Sequence, residues 1–196
     1  MLPTREQAEA FLLEAEQMNP GPWGNHSRTA AKCAEKIAQR CGLDADKAYI
    51  LGLLHDIGRR YGVTQMAHII DGYRFMNTLG FDEVARVCLS HSFAVQDIRT
   101  ECGKVDVSEE DYELLNHLIE TFEYDDYDRL IQLCDSLAFP DGVIDLKTRM
   151  DDVERRYGFY PKEKRLKHYA IRDYFEEKMG CNLYRVVTDD KKLWDM

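Results

Sequence analysis

A histidine and an aspartate stand next to each other, His55 and Asp56, inside the almost wholly apolar run Leu51–Ile57. Burying two ionisable groups in such a run is costly unless they pair with each other or bind a metal ion. A hydrogen-bonded His-Asp pair in a core helix is one interpretation of this pattern. A metal site is the other, and the positions of the remaining histidines distinguish the two.

Four of the six histidines precede residue 92, and each of the four lies in an apolar helical pattern. A further aspartate occupies a second apolar run, residues 130–138. In chain order these polar residues are His26, His55, Asp56, His68, His91 and Asp135. Imidazole and carboxylate groups are ligands that suit iron, manganese, cobalt, nickel or zinc. Adjacent helical residues project about 100° apart, so the His-Asp pair can approach one metal from two sides, or its carboxylate can bridge two.

This order of residues resembles the HD family of metal-dependent phosphohydrolases, in which a histidine, a His-Asp pair and a distant aspartate follow one another. The stretch Leu53–Arg59 (Leu-Leu-His-Asp-Ile-Gly-Arg) is similar to the commonest core of that family. The segments His68–Gly72 and Ser90–Ser92 resemble those of its two-metal members, in particular the bacterial hydrolases that split diadenosine tetraphosphate symmetrically. The resemblance extends over about residues 22–138.

The resemblance implies an all-α fold with the metal site between central helices. The length of 196 residues is most simply one domain, although two small domains are possible, and we expect an HD-type core at about 22–138 with a helical C-terminal extension at 139–196. Two divalent transition metals are expected, iron or manganese first, with cobalt, nickel, zinc or magnesium as alternatives. The expected ligands are His26, His55, Asp56 and Asp135 for one metal, and His68 and His91 for the other, with Asp56 as the bridge. The alternative is that His68 and His91 are core histidines hydrogen-bonded to the backbone, which would leave a single metal.

The implied reaction is hydrolysis of a phosphoester or phosphoanhydride bond in a small phosphorylated molecule, expected to be a nucleotide. His55 and Asp56 are the expected catalytic residues. Arginine's planar fork suits phosphate, so Arg59 and Arg60 are candidate substrate contacts, as is Lys104, although all three could be solvated loop residues. A metal-binding signalling or interaction module without turnover remains the alternative function, and a di-iron oxygenase is a third.

The composition limits the kinds of partner that the protein is expected to bind. The formal net charge of −10 argues against a nucleic-acid partner, because that kind of binding depends on neutralising phosphates. It leaves room for a phosphorylated small molecule, since metal ions and a few arginines can supply local positive charge. No run of 18 apolar residues exists and the N-terminus has no signal-peptide layout, so we expect a cytoplasmic protein with no membrane contact. The sequence does not indicate an oligomeric state.

Helix-end signals place the candidate ligands on successive helices. Thr4 and Gln7 form a capping box for the first helix, and Gly42 ends a second helix that has His26 near its start. Asp44 begins a third helix, which is expected to include the His-Asp pair. Fourth and fifth helices, opened by Thr64 and Asp82, are expected to carry His68 and His91.

The rest of the chain carries weaker signals. A polar loop is expected over residues 93–107, and Gly72, four residues after His68, could leave room for a ligand or for close helix packing. Helices are expected near 148–157 and 162–179, and residues 182–187 should form a short strand or an extended tail.

Overall fold

Helices supply nearly all the regular structure of the chain. The computed structural model describes residues 1–194, and its helices are α1 (Arg5–Met18), α2 (Trp23–Cys41), α3 (Ala45–Leu54), α4 (Ala67–Thr78), α5 (Asp82–Ser90), α6 (Glu109–Thr121), α7 (Asp126–Leu137), α8 (Leu146–Tyr157), α9 (Lys162–Met179) and α10 (Tyr184–Val187). Short 3₁₀ turns cover Ile57–Tyr61, Ile98–Thr100 and Lys191–Leu193. An antiparallel hairpin pairs β1 (Ala138–Phe139) with β2 (Gly142–Val143). The predicted all-α fold is confirmed, and none of the helices within residues 1–194 has the length and apolarity to cross a bilayer.

The short helix α3 lies at the centre of the molecule. All its residues from Ala48 to Leu54 are buried, and it packs against α2 and α7. At Gly52 a Cβ atom would lie only 2.8 Å from the Cα atom of Ala31, so α2 and α3 approach each other backbone to backbone. On the far side, α4 and α5 pack together and α4 also contacts the turn that follows α3. The ends of five elements therefore meet around the end of α3.

Several local signals in the sequence correspond to helix ends in the structure. Thr4 and Gln7 form the capping box of α1, and Asp44 accepts the Lys47 amide at the start of α3. Gly42 ends α2 with φ of 70°, a left-handed conformation that glycine adopts without strain. The helices expected near 148–157 and 162–179 are confirmed as α8 and α9.

The prediction that α3 includes the His-Asp pair is wrong. Helix α3 ends at Leu54, and Asp56 has φ of −102° and ψ of 14°, outside helical geometry. We attribute this end to the next turn, where Gly58 packs against α4. A Cβ atom at Gly58 would lie 1.9 Å from the carbonyl oxygen of His68 and 2.5 Å from the amide of Gly72. This contact between distant segments cannot be read from helical periodicity.

The same contact decides the role of Gly72. A Cβ atom there would lie 3.1 Å from the Cys88 sulfur and 3.2 Å from the Gly58 amide. Close packing of α4 against α5 and against the turn after α3 therefore explains this glycine, and it leaves no space for a ligand.

Replacing Gly58 tests how closely the metal-site turn must pack. We expect Gly58→Ala to destabilise the fold by about 1–3 kcal/mol, as overpacking does, and to lower metal binding, because backbone rather than a flexible side chain blocks the new methyl group. Urea unfolding and metal analysis measure both effects. Gly24→Ala is the control, since its Cβ would meet only the movable Glu16 side chain. A Gly58→Ala protein with parental stability and metal content would contradict this account.

Other helix boundaries also differ from the prediction. Helix α4 begins at Ala67 rather than at Thr64, and the carboxylate of Asp106 accepts hydrogen bonds from the amides of Gln65 and Ala67 at 2.7 and 2.8 Å. That cap comes from a distant loop, so no local signal marks it. Helix α5 has Phe81 at its N-cap, and Asp82 is its first residue.

The C-terminal residues pack into the main core. The strand or tail predicted at 182–187 is instead the short helix α10, because Tyr184 and Val187 are buried in the same core as Ile171 and Phe175 of α9. The Tyr184 hydroxyl also accepts the Leu146 amide at 3.0 Å, which ties α10 to the start of α8.

Candidate metal centre

The first of two His/Asp groups lies between α2, α3 and α7. His26 comes from the first turn of α2, His55 from the residue after α3, and Asp135 from α7. The Nε2 atom of His26 lies 3.0 Å from Oδ1 of Asp135 and 3.3 Å from Nε2 of His55. His55 Nε2 lies 3.7 Å from the same carboxylate oxygen. Three potential ligand atoms thus converge on one point.

The second group lies beside the first, between α3, α4 and α5. Asp56 Oδ1 is 3.1 Å from Nε2 of His68 and 3.6 Å from Nε2 of His91. The two imidazole nitrogens are 3.4 Å apart. All three residues are buried.

The two groups are adjacent. The His55 Nε2 atom is 3.9 Å from Oδ2 of Asp56, and the rings of His55 and His91 have centroids 5.0 Å apart. The structure therefore brings together the six residues that the sequence analysis selected as metal ligands. Asp56 stands between the two groups, with Oδ1 toward the second and Oδ2 toward the first.

Each imidazole is held by a hydrogen bond from its other nitrogen. Nδ1 of His26 donates to the Ala138 carbonyl at 3.1 Å, and Nδ1 of His55 donates to the Gly52 carbonyl at 2.7 Å. In the second group His91 Nδ1 donates to Cys88 at 2.8 Å, and His68 donates to Gln65. A carbonyl oxygen can only accept, so each Nδ1 carries a proton and Nε2 is the nitrogen that faces the centre. Metal-ligating histidines are oriented in this way.

The atoms at the centre fit a bound cation. The Nε2 atoms lie 3.3 Å apart in the first group and 3.4 Å apart in the second, so one cation between them could accept the lone pairs of both unprotonated rings. Asp56 Oδ1 is buried and accepts no hydrogen bond from the residues that the structure describes. A buried carboxylate oxygen without a donor is costly, and a metal ion would satisfy it.

The pKa shifts of the site residues also favour a bound metal ion. Burial opposes ionisation of Asp56, but Arg59, His68 and His55 outweigh it and hold its pKa well below the usual range. The pKa of Asp135 is likewise held low, because hydrogen bonds to His26 and His55 overcome its burial. Burial, together with the neighbouring His55, lowers the pKa of His91 to about 3. At neutral pH the centre therefore offers two carboxylates and an unprotonated His91, a donor set suited to a divalent transition metal.

Comparison with known protein families gives one match. A family model described as the HD domain matches residues 23–139, a span that contains both His/Asp groups. The chain belongs to the HD domain family. No curated protein and no solved structure matches it significantly.

A cavity of about 680 Å³ opens onto the metal centre of this HD domain. His26, Asp56, His68, His91 and Asp135 line it. Part of the wall comes from α8 and α9 in the C-terminal region, outside the matched span. The HD core thus supplies the metal centre, and the C-terminal helices supply much of the rest of the cavity.

Arg59 lies where the cavity meets the second His/Asp group. Its Nε donates to Oδ2 of Asp56 at 2.6 Å, and its Nη2 is 3.3 Å from Nε2 of His68. Asn19 from the end of α1 donates to the Arg59 carbonyl at 2.6 Å and holds this turn in place. The side chain keeps 28% exposure and lines the cavity, a position from which it can contact substrate as predicted.

The other two predicted substrate contacts lie elsewhere. The Arg60 guanidinium is buried against the ring of Phe75, 4.0 Å from its centroid, and is 3.2 Å from the carboxylate of Glu14. Lys104 is exposed, and neither side chain is part of the cavity wall. The structure therefore gives Arg60 a role in packing and does not bring Lys104 to the site. His117 is exposed on α6 and belongs to neither His/Asp group.

Sequence reasoning missed a polar chain beside the metal centre. His168 of α9 is buried, with Nε2 3.2 Å from the Ser136 hydroxyl and Nδ1 2.9 Å from the Tyr160 hydroxyl. Burial, with the nearby Lys164, lowers the pKa of His168 to about 3, so the ring is neutral. Ser136 directly follows Asp135 of the first His/Asp group. The hydrogen bonds from Ser136 through His168 to Tyr160 therefore fix the cavity wall beside Asp135. No spacing in the sequence links residue 168 to residue 136.

Proposed function

We propose that this HD domain is a metal-dependent phosphohydrolase that cleaves a phosphoester or phosphoanhydride bond in a small phosphorylated molecule, with a nucleotide as the expected substrate. The observation that carries the proposal is the adjacency of two His/Asp groups, with Asp56 between them, at the end of a cavity. A volume of about 680 Å³ is within the range of small-molecule sites.

The first His/Asp group would hold one divalent metal and the second another, with iron or manganese expected. Asp56 is placed to contact both, because its two oxygens face different groups. When bound, such a pair of ions polarises a phosphoryl oxygen and makes water a nucleophile at neutral pH. The single-metal alternative would leave His68 and His91 as ordinary buried histidines.

The protein's own residues have three tasks in this proposal. The four Nδ1 hydrogen bonds hold the imidazoles in position before any ligand arrives. Arg59 places a guanidinium at the cavity edge, where it can donate to phosphoryl oxygens in the bidentate manner that arginine favours. The cavity walls replace part of the water around the phosphate, which strengthens these electrostatic contacts.

A panel of phosphate esters and anhydrides, assayed on protein of known metal content, tests the proposal. We expect turnover of at least one nucleotide that depends on added iron or manganese and is lost on chelation. Protein that holds metal but turns over no compound of the panel would favour the signalling module. Oxygen consumption by the reduced iron-loaded protein would favour the oxygenase.

A further inference from the structure

The cavity continues beyond the metal centre into a cationic region formed by the C-terminal helices. Among residues 1–194, the lysine and arginine side chains that line the cavity are Arg59, Arg149, Arg156 and Lys164. The last three belong to α8 and α9. They lie on the part of the cavity wall that α8 and α9 contribute.

Three of these four cations have a carboxylate partner. Arg59 bonds to Asp56, and Arg156 donates to Asp152 at 2.9 Å. The Lys164 ammonium is nine-tenths buried and lies 3.8 Å from the carboxylate of Glu101, with a hydrogen bond of 3.1 Å to the Thr100 carbonyl. Outside the His/Asp groups, Asp152 and Glu101 are the carboxylates that line the cavity within the described chain, and each already has a cationic partner.

Arg149 differs from the other three. Its Nε atom is buried and makes no hydrogen bond, and within residues 1–194 its guanidinium forms no ion pair. Its guanidinium faces the ring of Phe139, 5.8 Å from the centroid, close to the outer limit of a cation–π interaction. Arg149 therefore supplies an unneutralised positive charge to the cavity.

Arg149 is connected to the first His/Asp group through Phe139. The guanidinium faces the ring of Phe139, and the preceding residue, Ala138, accepts the hydrogen bond from His26 Nδ1 at 3.1 Å. All four of these residues line the same cavity. One ligand in this cavity can therefore contact both the first His/Asp group and Arg149.

We propose that Arg149 binds a second anionic group of the substrate, a phosphate other than the one cleaved at the metal centre. This inference rests on the proposed phosphohydrolase function and specifies its substrate class as molecules with two separated phosphate groups. A partly buried guanidinium without a counterion is unfavourable, and its planar fork matches a phosphate. The second phosphate would supply the missing charge.

The test compares ligands with one and two phosphates on metal-loaded protein. Adenosine 5′-monophosphate and adenosine 3′,5′-bisphosphate serve as probes, and calorimetry measures binding whether or not the protein turns either over. We expect the parent to prefer the bisphosphate, and R149Q to lose about 10- to 100-fold in bisphosphate affinity, the range for a hydrogen bond to a charged group, with monophosphate affinity unchanged. R149K should lose less, because it keeps the charge without the fork.

The matched control is K147Q, which also removes one positive charge from the same helix, at a residue that is exposed and outside the cavity wall. It should bind both probes as the parent does, and metal content should be equal in all the proteins. The inference is overturned if the parent does not prefer the bisphosphate, or if R149Q weakens both probes equally or neither. Because binding is measured directly, absence of turnover would count against the proposed function without deciding the role of Arg149.

Discussion

Asp56→Ala should bind little metal and lose more than about a hundredfold in phosphohydrolase activity. Removing a residue that only hydrogen-bonds to a metal ligand already costs about 10- to 100-fold in metal affinity or activity. Asp56 is placed to contact both metals directly, so its loss should cost more. Its removal also takes away a carboxylate from the second His/Asp group and leaves Arg59 without its partner. Metal analysis and steady-state kinetics on the same preparation measure both losses.

Asp56→Asn provides the matched comparison for this change. It keeps the shape of the side chain but removes the charge, so we expect intermediate metal content and little activity. Circular dichroism should show parental helix content in both variants, since the residue lies after the end of α3. Parental metal content in Asp56→Ala would mean that the metal lies elsewhere.

The histidines should separate into two pairs by the metal that each one loses. We expect two equivalents of metal in the parent and about one in His68→Ala and His91→Ala, whose Nε2 atoms face Asp56 Oδ1. His26→Ala should lose the other equivalent, because its Nε2 contacts Asp135 in the first group. Metal titration of each variant, with activity measured alongside, checks these expectations.

His117→Ala is the control for the histidine series, because His117 is exposed on α6 and should affect neither metal. A parent that holds a single metal at saturation, unchanged by replacing His68 or His91, would rule out the two-metal reaction. A one-metal hydrolase with His26, His55, Asp56 and Asp135 as ligands would still agree with that result.

The nature and order of the six candidate ligands could be predicted from the sequence. Polar groups inside apolar runs, such as the His55-Asp56 pair, stand out because their burial demands a partner. Helix caps at Thr4, Asp44 and Gly42 could also be predicted, since each depends on bonds within a few residues. The all-α fold follows from the same local patterns and from the family resemblance.

Only the tertiary structure decided how α3 ends and which arginine faces the cavity. Successive residues of a 3₁₀ turn project about 120° apart, so Arg59 reaches Asp56 while its neighbour Arg60 is buried against Phe75. The direction of that turn depends on the packing of Gly58 against α4.

The part of the cavity wall that α8 and α9 form likewise could not be predicted from the sequence. Arg149 lies more than 90 residues after Asp56 and has no local signal, because an unpaired arginine in a sequence looks like any solvated one. Its role in the cavity follows from the placement of α8 and α9 beside the metal centre. The sequence by itself determined which residues are the candidate metal ligands, because polar residue types within apolar runs identify them. The tertiary structure alone decided the surroundings of the substrate, because contacts between distant segments place them.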